Sequence, residues 1–390
     1  MKLLALLTLA LSAGVGAFAQ GNNATAFAEG FLSALRTNNL SSLADVVGIH
    51  SEALLPALQG GNKTVLAPSN QAFAALGDNV DSQTLVATIA YHALFCVLDA
   101  VLNGSISTDS IGTKDKTIAS SALVMPEFVS LPRNRSQVVV LSKYEQNNTV
   151  YVELESRNVS LAMAMDGAQY ENIRVQPIDQ VLSIPPVTSE VVSNLGASQL
   201  GQLLQSANLV EPLDASVVTV FAPLNEPIEA AQSGMSDASA EQQTALLLNH
   251  VVNGSVIYST SLAITPDAIS ASGNQLRVMT NSSGAFVNSG NITARIVESD
   301  YVAKNGVVHL IDKVLVNTTQ NMQAAGSAYS SATSAAATET AAPGVGSESG
   351  SASGASGGGA GAGNGGNRLQ TSGAAAAIAG MLGSAFWLLA

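Results

Sequence analysis

The stretch "VTVFAPLNEPI", residues 218–228, has a close copy earlier in the chain, "KTVLAPSNQAF", residues 63–73. In both, an apolar run leads to Ala-Pro, one further residue, Asn and a helix-like segment. Proline has no backbone N–H and ends a strand ladder, so each phrase predicts a strand that stops before a helix. We expect Asn225 to cap that helix, with Pro227 tolerated in its first turn.

The correspondence continues along both copies. His92 in "ATIAYHALFCVL" matches His250 in "ALLLNHVVNGSVIYS", and "VQPIDQVLSIP" matches "NGVVHLIDKVLVN". Helical spacing of apolar residues precedes each Ala-Pro phrase, and β-branched runs such as "SQVVVLS", "TVYVELES", "NQLRVMTN" and "ITARIVES" follow it. The order predicts an α+β fold, repeated as two domains of ordinary size.

These phrases resemble the fasciclin (FAS1) family. "TVFAPLN", residues 219–225, is similar to the first signature of the family, and "NGVVHLIDKVLV", residues 305–316, to the second, with Tyr91-His92 and Asn249-His250 between the signatures. The resemblance implies two tandem domains, 22–185 and 186–317, each a β-sandwich wedge with a helical layer. We take Asn305-Gly306 as a tight turn that feeds a strand back into the sheet.

The resemblance also implies a role in cell adhesion, with partners among cell-surface, matrix or wall components, protein or polysaccharide. An acidic stretch before the second signature is implicated in adhesion in animal members, and its counterpart here is "ESDYV", residues 298–302. The adhesion candidates are Asp300 and Tyr301, which we expect to be exposed, and His309. The first copy diverges, because Gln176 stands where His309 stands and "ENIRV" replaces "KNGVV".

Both ends of the chain carry biased sequence. Residues 1–19 predict a secretory signal peptide, and the Ser/Ala/Gly-rich residues 318–364 predict a disordered stalk. Small residues at 364–366, a polar spacer and an apolar tail predict a GPI-attachment signal, with Asn364 as the attachment residue and 365–390 removed. A transmembrane helix is the alternative, but the tail is short and no basic cluster follows it. The proline-poor stalk is more typical of fungi than of plants.

Charge and sequons fit an ectodomain on the outer face of the plasma membrane or in the wall. The precursor has a net charge of −13, and removal of Lys2 and Arg368 with the end segments leaves −15, which argues against nucleic acid as a partner. Cys96 is the single cysteine, so no intrachain disulfide forms. Eleven Asn-X-Ser/Thr sequons predict heavy glycosylation, at Asn23, Asn39, Asn62, Asn103, Asn134, Asn147, Asn158, Asn253, Asn281, Asn291 and Asn317.

No catalytic, metal or cofactor site is predicted. The four histidines lack metal-ligand spacing, and the Gly-X-Ser-X-Gly at residues 354–358 lies inside the stalk without a strand or helix beside it. Trp387 is the single tryptophan and lies in the tail, which disfavours sugar stacking in the mature chain. We therefore expect an adhesion protein that is not an enzyme. A structural wall glycoprotein without a specific receptor, and a glycan-binding or glycan-modifying protein, remain alternatives.

Overall fold

The computed structural model describes residues 22–77, 80–95, 114–144, 149–155, 158–161, 168–232, 238–262 and 267–338. Cys96, Asn103, Asn147, Asn364, Trp387, the signal segment and the C-terminal tail lie outside these residues. The chain divides into two units by its contacts: the first holds residues up to 129 and 134–185, and the second holds 130–133 and 186 onwards.

The first unit begins with helices and continues with strands. Its helices are α1 (Asn22–Thr37), α2 (Ser41–Ile49), α3 (Ser51–Leu58), α4 (Asn70–Leu76) and α5 (Ser82–His92). Its strands are β1 (Lys63–Pro68), β2 (Ala93–Leu94), β3 (Lys114–Ser120), β4 (Val138–Tyr144), β5 (Thr149–Glu153), β6 (Asn158–Leu161), β7 (Ala168–Tyr170) and β8 (Ile173–Ile178). A short 3-10 turn spans Pro132–Asn134, of which residues 132 and 133 belong to the second unit.

Two sheets form in this unit. One has the order β2-β1-β8-β7, in which β1 and β8 are parallel, and the other is the antiparallel meander β3-β4-β5-β6. All six residues of β1 are buried, as the apolar run predicts for a strand covered on both faces. Ser69 caps α4 by accepting the N–H of Ala72 at 3.1 Å, so the helix starts where the strand ends.

The second unit begins with the same order of elements: three helices, a strand, two helices and a strand. Its helices are α6 (Thr188–Asn194), α7 (Ser198–Ser206), α8 (Val210–Ala215), α9 (Asn225–Gln232), α10 (Ala240–Leu248), α11 (Ser259–Leu262) and α12 (Met322–Thr338). Its strands are β9 (Val218–Pro223), β10 (Val251–Asn253), β11 (Asp267–Ile269), β12 (Gln275–Asn281), β13 (Gly284–Ser289), β14 (Ile292–Ala303) and β15 (Gly306–Ile311).

The strands of the second unit pair into one continuous sheet with the order β10-β9-β15-β14-β13-β12-β11. The long strand β14 is shared, because Ile292–Arg295 pair with β13 and the rest pairs with β15. Its register shifts at Glu298 and again before Tyr301, and Asp300 has a φ of 65° there. Such a bulge bends a strand, which lets a single sheet fold around a core.

The repeated phrases occupy equivalent positions in the two units. β1 pairs antiparallel with β2 and parallel with β8, and β9 pairs antiparallel with β10 and parallel with β15. In the second unit these strands and the helices α6–α8 surround a core of Val, Leu, Ile and Ala. The prediction of mixed helices and strands is confirmed. The predicted strands also form, at or within a few residues of their expected bounds.

The prediction of disorder is wrong for the beginning of the predicted stalk, because α12 spans Met322–Thr338. Asn321 caps this helix by accepting the N–H of Ala324 at 3.0 Å. Alanine has the highest intrinsic helix propensity, and half-buried alanines recur at helical spacing on one face of α12. The Ser/Ala-rich composition predicted disorder, but the same alanines are spaced so that they form one half-buried face of a helix.

Candidate functional site

A buried histidine follows helix α10 in the second unit and connects it to the chain that leaves β15. His250 Nδ1 lies 2.8 Å from Leu246 O, and His250 Nε2 accepts the N–H of Leu315 at 2.9 Å. An Nε2 that accepts a backbone N–H carries no proton, so the proton is on Nδ1 and is donated to the carbonyl. The ring therefore acts as a neutral bridge between two backbone groups.

The first unit repeats this arrangement. His92 Nδ1 lies 2.6 Å from Thr88 O, and His92 Nε2 accepts the N–H of Leu182 at 3.0 Å. Burial lowers the pKa of His92 and of His250 from 6.5 to about 4, because a charged ring would lose its hydration. The matched histidines are thus structural, as the interpretation from sequence favoured.

The Asn of each Ala-Pro phrase caps a helix, but a different helix from the one expected. Asn225 is the first residue of α9, and its Oδ1 accepts the N–H of Gln199 at 2.9 Å, in the first turn of α7. Its Nδ2 donates to Ser198 Oγ at 3.1 Å. The expectation that Asn225 caps the next helix is wrong, because the side chain turns to a helix that precedes the strand in sequence. Pro227 lies in the first turn of α9, as predicted.

Asn70 has the same role in the first unit. Its Oδ1 accepts the N–H of Ser42 at 2.9 Å, in the first turn of α2. Ser42 and Gln199 are both the second residues of their helices. In both units, the side chain of the first residue in the helix after the strand therefore fixes the start of an earlier helix, which local sequence patterns cannot reveal.

The second signature turns back into the sheet one residue earlier than expected. Ala303 pairs with Gly306, so the turn residues are Lys304 and Asn305, and Gly306 is already in β15. A methyl group on Gly306 would overlap Val218 O of the neighbouring strand. The glycine is needed for this close approach of two backbones and not for the turn itself.

Asn305 is buried in the turn and all of its polar atoms are engaged. Its Oδ1 accepts the N–H and the hydroxyl of Thr188 at 3.0 and 2.8 Å. Its Nδ2 donates to Leu213 O at 2.9 Å and to Ser216 O at 2.7 Å. One side chain thus holds the start of α6 and the end of α8 against the hairpin.

Asp300 is buried, contrary to the expectation of an exposed acidic turn. Only 2% of it is exposed, and its Oδ1 accepts the N–H of Ser259 at 2.7 Å. Its Oδ2 accepts the hydroxyl of Ser299 at 3.1 Å. Tyr301 is half-buried and packs against the hydrophobic core. The positive φ at the bulge turns the Asp300 carboxylate inward, which an acidic stretch alone does not indicate.

His309 lies beside Asp300 and is also buried. Its Nδ1 accepts the N–H of Asp300 at 3.2 Å, and its Nε2 donates to Ile257 O at 2.8 Å. The ring stacks on Phe221 with a centroid distance of 5.5 Å. The structure therefore brings Asp300 and His309 together, in a network that ties β14 and β15 to the segment before α11.

In the first unit, Gln176 takes the place of the histidine in this network. Gln176 faces Leu66 across β8 and β1, just as His309 faces Phe221 across β15 and β9. Gln176 is buried, so the change from histidine is a change inside the fold. Asn172 matches Asn305 and donates to Leu58 O at 3.2 Å and to Gly61 O at 2.6 Å, which preserves the hairpin contact.

A buried polar cluster around Asn249 was missed by sequence reasoning. Asn249 Nδ2 donates to Ser289 Oγ at 3.0 Å and to Leu315 O at 2.9 Å, and its Oδ1 accepts hydroxyls of Ser270 and Ser272. The first copy has Tyr91 at this position, buried with its hydroxyl on Val138 O at 3.0 Å. The Tyr-to-Asn difference before each matched histidine is the sequence signal that could have indicated it.

The sequons differ in accessibility. Asn253 and Asn317 are half-buried, and nothing is described of the Asn23 side chain in α1. The exposed sequon asparagines are Asn39, Asn62, Asn134, Asn158, Asn281 and Asn291. Most sequons that the structure describes therefore present an accessible amide, as glycosylation requires.

The described residues show neither a metal-binding group nor a membrane-spanning helix. They contain no group of three or more His, Cys, Asp or Glu side chains placed to hold a metal ion. Within the same ranges, no helix is long and apolar enough to cross a membrane.

Residues 195–317, which lie in the second unit, match the family model for the fasciclin domain. This part of the chain is a fasciclin domain. It contains both signature strands, β9 and β15, and the Asp300–His309 network. The resemblance predicted from the two signatures is confirmed for this domain.

Two fungal proteins named as fasciclin-like are similar to longer stretches of the chain. A "Fasciclin-like arabinogalactan protein CTB11" of Cercospora beticola is 25% identical over 286 residues, 72% of this chain and 74% of its own. A "Fasciclin-like arabinogalactan protein" of Arthroderma benhamiae is 26% identical over 266 residues, 66% of this chain and 59% of its own.

Two further proteins are similar, one over a shorter stretch of the chain and one at a lower sequence identity. The "Transforming growth factor-beta-induced protein ig-h3" of Sus scrofa is 32% identical over 132 residues, 33% of this chain and 19% of its own. A solved FAS1 domain pair from the insect cell adhesion molecule Fasciclin I is 16% identical and covers 72% of this chain and 98% of its own, with a TM-score of 0.34.

Proposed function

We propose that this chain is a GPI-anchored cell-surface glycoprotein that mediates adhesion, or contact with the wall or matrix, through two fasciclin domains. The domains are 22–185 and 186–317, after a signal peptide at 1–19. Residues 365–390 are replaced by the lipid at Asn364, and glycans are attached at accessible sequons. No reaction and no cofactor belong to the proposal.

The match of residues 195–317 to the fasciclin domain carries this proposal. The matched histidines and helix-capping asparagines support a second domain of the same kind in the first unit. The 286 residues aligned with the Cercospora beticola protein are more than the second unit contains, so that likeness also reaches into the first. The exposed sequons support glycosylation of the folded ectodomain.

The buried network changes what the candidate residues do in this proposal. Asp300, Tyr301 and His309 hold the β14–β15 hairpin in shape, and the groups that touch the partner belong to exposed surface around it. In the alternative function, a structural wall glycoprotein without a specific receptor, the signature residues would be buried in the same way. Attachment measurements must therefore separate the two functions.

The test displays the full chain on cells that lack it and measures their attachment to untreated cells and to isolated wall polysaccharide. We expect attachment to exceed that of parent cells, and phosphatidylinositol-specific phospholipase C to release the protein and abolish the excess. A chain that stays on the cell, while a known GPI protein is released, contradicts the anchor. A released chain that never supported attachment contradicts the adhesive function and favours the structural glycoprotein.

A further inference from the structure

One face of strands β12, β13 and β14 is turned to solvent and carries apolar side chains. Met279 pairs with Phe286, and Phe286 pairs with Arg295, so the three side chains form one row across the strands, the outer row. The residue that precedes each of them is buried, whereas Met279 is 40% exposed and Phe286 is half-buried. Successive side chains of a strand point to opposite faces, so the outer row lies on the side of the sheet away from those buried residues.

Asn281 ends β12 on the same face, because it follows Met279 by two residues. It pairs with Gly284 across a tight turn, in which its Oδ1 accepts the N–H of Ser283 at 2.8 Å. Residues 281–283 form a sequon, and the asparagine is exposed. The hydrogen bond fixes the amide through its oxygen and leaves Nδ2, the atom that receives a sugar, beside the outer row.

The guanidinium of Arg295 lies at the same end of this face. A methyl group placed on Gly284 would lie 3.6 Å from Arg295 Nε and 3.8 Å from Nη2. Gly284 is the direct partner of Asn281, and side chains of directly paired residues share a face. Arg277 donates to Asp267 at 3.2 Å, whereas the Arg295 guanidinium has no hydrogen-bond partner among the described residues. Its N–H groups are therefore free to donate to a ligand on this face.

We propose that the first N-acetylglucosamine of an oligosaccharide on Asn281 docks on the outer row. Glycosylation forms one bond between Asn281 Nδ2 and the sugar C1, with loss of an N–H proton and departure of the lipid pyrophosphate donor. The C–H face of the sugar then packs on Met279 and Phe286, since thioether and aromatic groups provide apolar, polarizable contact surface. The N-acetyl oxygen accepts a hydrogen bond from Arg295. The inference rests on the glycosylation proposed above and does not depend on the anchor or on adhesion.

The next hairpin has a sequon without such a surface. Asn291 is exposed in the turn between β13 and β14. At that end the outward side chains are Asn288 and Thr293, which pair across the strands and are hydrogen-bonded to each other at 3.0 Å. A sugar at Asn291 would therefore meet polar groups that are already paired, which makes this sequon a matched control.

Docking would close the outer face of β12–β14 to a protein partner. The sugar would cover Met279, and the rest of the oligosaccharide would extend over the adjoining surface. The adhesive contact of the proposed function would then lie on a surface other than this face.

The test treats the full glycosylated chain with dilute hydrogen peroxide and follows formation of methionine sulfoxide by mass spectrometry. Trypsin cleaves after Arg277 and Arg295, so Met279 and both sequons fall in one peptide, residues 278–295. Peptide N-glycosidase F removes the sugars after oxidation and leaves aspartate at each asparagine that carried one. The same peptide therefore reports both oxidation and the sequon that was occupied.

Met279 should oxidise at least about threefold more slowly in molecules with a sugar at Asn281 than in molecules without it, because oxidation requires access to the sulfur. A sugar at Asn291 should not change this rate. Met322, which is 47% exposed, provides the internal reference. The Asn281→Gln chain supplies the sugar-free state if every molecule carries the sugar.

Two further measurements separate docking from shielding by a long oligosaccharide. Endoglycosidase H, used on protein with high-mannose sugars, leaves a single N-acetylglucosamine, which should still protect Met279. Phe286→Thr should reduce the protection, because the ring is lost from the outer row. Trimming uses the unaltered chain and does not depend on how this variant folds.

Equal oxidation rates with and without the sugar, or protection that vanishes on trimming, would contradict docking. Sugar at other sequons and none at Asn281 would contradict this site and leave the proposed function standing. Sugar at no sequon would contradict both this inference and the proposed glycoprotein.

Discussion

Asn225, Asn305 and Asp300 use their side chains to bind backbone groups of distant elements. Each accepts or donates bonds across at least one intervening helix or strand, with donor–acceptor distances between 2.7 and 3.1 Å. Buried polar groups are satisfied in native proteins, and losing one partner costs more than the bond contributes on average. These residues should therefore be sensitive to truncation.

Asn225→Ala should lower the free energy of unfolding by about 0.5–2 kcal/mol, the usual cost of removing a helix cap. The loss arises at the start of α7, where the N–H of Gln199 would lose its acceptor. Urea denaturation measures it, with the exposed neighbouring Glu226→Ala as the control. Equal stability of the Asn225→Ala chain and the parent would contradict the role of this side chain as a cap.

Asp300→Ala should cost about 1–3 kcal/mol, because the N–H of Ser259 and the hydroxyl of Ser299 lose their acceptors. Asp300→Asn should cost less, since asparagine tolerates a positive φ and keeps one acceptor oxygen. Thermal and urea unfolding of both variants check the order. If Asp300→Ala is as stable as the parent, the carboxylate does not hold the bulge.

At the scale of elements, each matched histidine joins the end of a helix to the chain that follows the last strand of its unit. His250 links α10 to Leu315, and His92 links α5 to Leu182. Both rings are neutral in the fold because burial lowers their pKa. In the unfolded chain the rings are hydrated and bind a proton near their ordinary pKa.

Stability should therefore fall as the pH drops from 6.5 toward about 4, the window between the ordinary and folded pKa of His250. Above this window the ring is neutral in both the folded and the unfolded chain, so its contribution to stability is complete. Within this window the unfolded chain binds the proton before the folded chain does. Across the full window, the free energy of unfolding falls by about 3 kcal/mol per histidine. Urea unfolding at several pH values should show a smaller change for His250→Gln than for the parent. Identical pH dependence in the two chains would exclude this linkage.

At the scale of the whole molecule, the chain has a net charge of −13 and divides into two units. The described part of the predicted stalk is a helix that contacts the second unit at Gly254. If the chain is anchored as proposed, the tether is shorter than its composition indicates.

Trp387 provides a test of the processed ends. It is the only tryptophan, so a chain cut upstream of the apolar tail should contain none. Purified surface protein should show tyrosine emission without an indole component when excited where only indole absorbs. A retained transmembrane helix would give blue-shifted indole emission and a C-terminal peptide with Trp387 by mass spectrometry, and either observation would contradict the anchor.

The sequence by itself determined the repeated strand-to-helix phrase, the strands that follow it and the fasciclin signatures. These features are local: proline ends β9 at Pro223, a run of valines favours β4, and alternation of apolar and polar residues favours β12. They need only a few adjacent residues to specify them, so a pattern can predict them.

The tertiary structure alone decided where polar side chains point. Asn225 caps α7 and not α9, Asp300 turns inward at a bulge, and Gly306 is required by Val218 O of another strand. Each outcome depends on a backbone group brought close by folding, and the residue types would suit an exposed loop equally well. The docking of α12 is of the same kind, because helix propensity favours the helix but Gly254 supplies the surface on which it lies.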